Sequence, residues 1–188
     1  MASLSITRYL QFGLTSSLLL SAFASAQTLR FDSEWWRHTA HDEERTGFVL
    51  GYFDCPKAAK QVFSASSDDY VAYVYEHLGY SKESTVPSLL AQAHLHMKAH
   101  QVLRGGEEYP EKHSWLDGAW WGDAHHGDTD EKRGYVEGYL QCNYDEVTVT
   151  QTQNFVDALN RHFANPSSEH HKIANVLQPI LDSEKKRS

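Results

Sequence analysis

Positive charge is scarce in this chain. Its 188 residues hold 17 Lys and Arg against 25 Asp and Glu, a formal net charge of −8 with the 12 histidines counted as neutral. The only basic run is Lys185-Lys186-Arg187, at the C-terminal end. Such a chain lacks the phosphate-tracking surface on which nucleic-acid binding depends, so no nucleic-acid partner is expected. Cysteine is scarcer still, with two residues. Neither lies near the N-terminus, where a lipid anchor would need one, and their wide spacing excludes a CxxC-type metal site. Catalytic signatures are missing as well. There is no GxSxG elbow, P-loop, dinucleotide fingerprint, HExxH pair or Cys-His-Asn set, and no cofactor is expected.

What is present begins with a leader. "MASLSITRYLQFGLTSSLLLSAFASAQ" carries one early positive charge, Arg8, then an apolar stretch from Tyr9 to Phe23 that Gly13, Thr15, Ser16 and Ser17 interrupt. Ala24-Ser25-Ala26 supplies the small-x-small pattern that signal peptidase reads. The stretch falls short of the roughly 20 apolar residues a spanning helix needs. Residues 1–26 therefore read as a signal peptide cleaved near Ala26. The mature chain is expected to be periplasmic or secreted, with no stable membrane insertion.

The mature chain repeats itself. "FDSEWW" (Phe31–Trp36) aligns with "LDGAWW" (Leu116–Trp121) at an offset of 85, and His41 meets His126. A two-residue insertion moves the frame to 87, where "TGFVLGYFDC" (Thr46–Cys55) meets "RGYVEGYLQC" (Arg133–Cys142) and Glu44 meets Glu131. The frame then returns to 85, pairing Tyr70, Val71, Val74, His77 and Leu78 with Phe155, Val156, Leu159, His162 and Phe163. Two tandem copies are expected, 27–103 and 116–181, joined by a linker over 104–115 and followed by a flexible tail over 182–188.

Each copy reads as helices, and the fold class is all-α. Phe155, Val156, Leu159 and Phe163 make one helical stripe, with a capping box at Thr150–Gln153 and a stop at Asn165-Pro166. A last helix is expected from Ser168, bent or stopped at Pro179. In the first copy Ser67 caps the matching stripe, Gly79 closes it, and Pro87 opens a longer helix. Gly47 and Gly51, like Gly134 and Gly138, lie four apart and so share one helical face. Glycine costs about 1 kcal/mol in a helix interior, and two per helix imply that another backbone comes close. The alternative is a strand, since the phrase is rich in β-formers.

The two copies are expected to pack about a pseudo-twofold axis. Equivalent residues meet at such an axis, so Cys55 and Cys142 are expected to form a disulfide. Trp-Trp is a rare dipeptide, kept here twice. Core packing is the plainer expectation for all four tryptophans, but on a helix neighbours diverge by about 100°, so one Trp of each pair can be buried while the other faces outward. The candidate binding surface comprises Trp35, Trp36, His41, Glu44, Trp120, Trp121, His126 and Glu131. His77 and His162 are expected at terminal helix carbonyls. Among the histidines, His96 and His100 are four apart on an expected helix, beside His94, and could clamp zinc given a third ligand. Asp123, His125, His126 and Asp128 form a second cluster. Surface histidines without a metal are the plainer expectation for both.

"GYVEGYLQC" followed by "VTVTQTQNFVDALNRHFANPSSEHHKIANVLQPIL" resembles the small exported Tai/Rap-type family, which includes immunity proteins to type VI secretion amidase effectors. The matching positions are Gly134, Tyr135, Val136, Gly138, Thr150, Gln153, Val156, Leu159, His170, Ala174 and Leu177, with a fainter echo over Gly47 to Met97. The duplication and the Trp-Trp segments depart from that plan. The resemblance implies an all-helical, periplasmic, non-catalytic protein that blocks a partner's active site. A non-enzymatic protein binder is the expectation. Two rivals stand beside it: a small enzyme using Glu44, His41, Glu131 and His126, and a histidine-based metal carrier.

Overall fold

The computed structural model describes residues 27–58, 65–79, 84–103, 116–123 and 129–186. The expected signal peptide (1–26), the linker (104–115), and His125, His126 and Asp128 lie outside the described residues. The fold is helical, with one small antiparallel pair of strands, β1 (Thr28–Leu29) and β2 (Val147–Thr148), in the register Thr28↔Thr148.

At the centre are two helices, α1 (Asp42–Asp54) and α5 (Thr129–Asn143). Both contain the glycine phrase, so helix rather than strand is its conformation. A Cβ on Gly47 would fall 2.1 Å from the Glu131 carbonyl oxygen, and one on Gly134 would fall 2.1 Å from that of Glu44. Four residues on, Gly51 faces the Tyr135 carbonyl at 1.9 Å and Gly138 faces that of Phe48 at 2.0 Å. The partners advance together along both chains, so the helices run parallel and cross backbone to backbone. Where they end, Cys55 and Cys142 are joined as a disulfide across a sequence separation of 87. Among the described residues no cysteine is free.

Further contacts come in matched pairs. Asp32 Oδ1 accepts the backbone N–H groups of Glu34 and Trp35, both at 3.1 Å. Asp117 Oδ1 accepts those of Ala119 and Trp120, at 3.1 and 3.4 Å. The first aspartate opens a π-helical turn (Trp35–Thr39), the second a short helix, α4 (Gly118–Gly122). Val86 N–H donates to the Phe31 carbonyl at 3.0 Å, and Ile173 N–H donates to that of Leu116 at 3.1 Å.

Around the central pair lie α2 (Ser67–His77) and α3 (Val86–Leu103) on one side, and α6 (Val149–Phe163) and α7 (Ile173–Lys185) on the other. Their apolar stripes are largely the expected ones: Tyr70, Val74 and Leu78, and Phe155, Val156 and Leu159, are buried, while Val71 and Phe163 are half-buried against the same core. Burying one such side chain contributes roughly 1.5–3 kcal/mol, more than a cap does, so the stripes decide where these helices lie. All of them join one continuous core running from Phe31 to Leu181. The segments 27–103 and 116–181 therefore do not keep separate cores.

Several boundaries differ from the expected ones. The N-cap of α2 is Ser66, whose hydroxyl accepts from Asp69 N–H, rather than Ser67. That of α6 is Thr148, accepting from Gln151 N–H at 3.1 Å, rather than Thr150. Ser168 ends a 3₁₀ turn (Pro166–Ser168), and α7 starts only at Ile173. It then runs through Pro179 to Lys185, into the expected tail. Pro179 and Asn175, whose carbonyl the proline leaves without its helical donor, are both exposed, so water can satisfy that carbonyl.

Candidate functional site

The first turns of α1 and α5 meet at one end of the central pair. Both are acidic, with Asp42, Glu43 and Glu44 on α1 and Asp130 and Glu131 on α5, as suits the positive end of a helix dipole. Glu44 is 1 % exposed. Its Oε2 accepts the backbone N–H of His41 at 3.3 Å. Its Oε1 accepts from Arg133 Nε at 2.8 Å and from Nη2. The same guanidinium lies 3.7 Å from Asp130 and 3.8 Å from Glu137. His41 Nδ1 bonds Asp130 Oδ2, and that bond raises the pKa of this exposed imidazole.

Glu137 is the unusual member. It is 2 % exposed, and among the described residues its Oε2 has no hydrogen-bond partner. Burial pushes its pKa up to about 8, aided by the Glu44 charge and opposed by Arg133. A folded-state pKa above the unfolded value means that the native state binds the extra proton. Stability then falls as pH rises from the ordinary glutamate range towards 8 and levels off above it. Glu137→Gln keeps the shape and removes the titration. The variant should gain stability relative to the parent as pH rises from 5 to 8.5, as read from urea midpoints. Parallel pH profiles for the two proteins would refute the buried acid.

Chemically, one arginine serves three carboxylates, and burial raises the pKa of one of them, Glu137. This brings together Glu44 and His41 of the expected acid–histidine set, with Glu131 half-exposed on the same end; His126 lies outside the described residues. Glu44 and Glu137 are sealed from solvent and held by Arg133, which leaves them no path to a substrate. Sequence reasoning missed Arg133 and Glu137. Their spacing of four, with Asp130 three residues before Arg133, was the available signal.

The tryptophans correct the expected surface. Trp35, Trp36, Trp120 and Trp121 are 6, 0, 6 and 2 % exposed, so neither pair turns one ring outward. Trp35 packs on Phe31 and Phe48 at 4.8 and 5.2 Å, and Trp120 packs on Tyr135 at 5.8 Å. Trp121 Nε1 donates to Asn160 Oδ1 at 2.9 Å. Both rings of the first pair meet Phe48, Trp36 at 6.4 Å, so divergence along the turn leaves neither ring outside the core.

The histidines are dispersed. His94 is buried beside the Tyr70 hydroxyl, 3.3 Å away, and its pKa is lowered by burial. His77 Nδ1 bonds the Tyr73 carbonyl, a helix-end contact of the expected kind, whereas His162 Nε2 pairs with His171 Nδ1 at 3.0 Å. That second pair borders an open groove of about 590 Å³ along α6 and α7, floored by Val176 and Ile180. His96 and His100 are exposed on α3. Among the described residues no three His, Cys, Asp or Glu side chains are grouped to hold a metal ion. Among the same residues, no helix is long and apolar enough to cross a membrane. No protein-family model, curated protein or solved structure matches this chain.

Proposed function

We propose that the chain is an exported, non-enzymatic binding protein that engages a basic protein partner, in the manner of the immunity proteins its C-terminal segment resembles. Cleavage near Ala26 would release it into the periplasm or beyond. The observation that carries this reading is the joint acidic end of α1 and α5. Asp42 has 92 % of its side chain exposed and His41 67 %, while Glu43 is exposed beside them and Asp130 and Glu131 complete the rim. On a chain of net charge −8, such an end would steer a cationic partner towards it. Both halves contribute to the surface, as two copies of one unit packed about a common axis would. The matched glycine, aspartate and backbone contacts support that duplication. A disulfide suits an oxidising compartment, which supports export.

The test is capture of a partner from a native periplasmic extract by the mature chain. Glu43→Lys reverses one exposed charge at a cost of about 1 kcal/mol to the helix end. Capture by this variant should fall at least tenfold, and capture by the parent should weaken as salt screens the rim. Capture that is indifferent to both the reversal and salt would overturn the acidic end as the interface.

A further inference from the structure

We infer that His96 and His100 form a two-histidine clamp for a late first-row divalent transition-metal ion on the exposed C-terminal half of α3. The helix presents them for this. His96 and His100 follow the buried Leu89 and Ala93 by seven residues each, so they continue the same side of α3 one turn apart, but here both side chains are exposed. Their ring centroids are 4.4 Å apart, and the planes are inclined by 57° rather than stacked. An ion held about 2.0–2.1 Å from an imidazole nitrogen stands about 3.2 Å from the ring centre, so two rings at right angles about it have centres about 4.5 Å apart. The observed spacing fits two adjacent ligands of one ion.

The nitrogens are also uncommitted. His41, His77, His94, His162 and His171 each engage a hydrogen-bond partner. His96 and His100 have none among the described residues. Tyr73, stacked on His77 at 3.9 Å, packs against His96 at 5.3 Å and limits the rotamers its ring can take. Part of the ordering entropy is thus spent before the ion arrives. With no third protein ligand grouped here among the described residues, water fills the remaining positions. Imidazole ligands and adjacent sites suit copper(II) and nickel(II) before zinc, with copper the tightest. Protons compete for the same nitrogens, so binding weakens in acid.

The experiment is calorimetric titration of the mature chain with nickel(II) alone. His100→Ala should weaken the strongest site at least tenfold. Adding Gln92→His to His100→Ala recreates a pair four apart, at an exposed position, and should restore binding to within about threefold of the parent. Adding Leu95→His instead keeps the histidine count but places the new ring one residue from His96, on a diverging face with no histidine three or four away, and should restore nothing. All three positions are exposed, and far-UV circular dichroism should stay that of the parent. Unchanged affinity in His100→Ala, equal rescue by either added histidine, or no nickel binding by the parent would each overturn the clamp.

Discussion

Gly51→Ala should leave no folded protein. The added methyl would lie 1.9 Å from the Tyr135 carbonyl oxygen, and its nearest neighbours are all main chain of α5, which cannot rotate aside. Alanine's better helix propensity returns only about 1 kcal/mol. Relief would require the two central helices to separate along the whole crossing, stripping contact from Phe48, Tyr135 and Tyr139. We expect a loss of about 5 kcal/mol or more, comparable with the entire stability of many domains. Gly122→Ala is the matched control. That site is exposed with no atom within 4 Å of the new Cβ, and its effect should stay within about 0.5 kcal/mol. A Gly51→Ala protein that melts within a few degrees of its parent would mean that the backbones do not approach as described.

Removing the disulfide should have the next largest effect. Cys55→Ala with Cys142→Ala opens a loop spanning a separation of 87, worth about 4.6 kcal/mol of unfolded-state entropy. For a chain of this size the melting temperature should drop by roughly 10 °C. Cys55 is fully buried and sits at the end of the glycine crossing, so the bond also holds the last turns of α1 and α5 together. Reduction of the parent should reproduce the drop. Thiols shown free by labelling, with melting unchanged, would sink the prediction.

The central crossing was legible because its signals are local and costly. Paired glycines four apart have few uses other than close approach, and two cysteines at matched positions of a repeated phrase point to each other. The stripes of α2 and α6 were legible for the same reason, since period and burial coincide. The tryptophan surface was misread because helical spacing gives the direction of a side chain but not what stands there. Phe31 and Phe48 close the wall that Trp35 faces, and nothing in the spacing of 35 and 36 reveals it. Caps slipped by one or two residues because Ser66 and Ser67, or Thr148 and Thr150, offer the same hydroxyl, and tertiary packing chooses between them. Pro179 was read as a break because its solvent-facing position could not be known. The Arg133–Glu44 bond joins residues 89 apart, and only the folded crossing brings them together.

The Cys55–Cys142 bond also changes what a broken backbone means. The chain between the two sulfurs is a closed covalent ring that holds α2, α3, α4 and nearly all of α5, while the remainder hangs from it as two open arms. A protease that cuts once anywhere inside the ring opens it without shedding a fragment, because both new ends stay tethered through the sulfurs. The central crossing would keep its partners side by side and could re-form without a bimolecular encounter. A cut in either arm has no such insurance. Under oxidising conditions, therefore, damage between the two halves costs the molecule an ordered loop, whereas damage before Cys55 or after Cys142 costs it a piece.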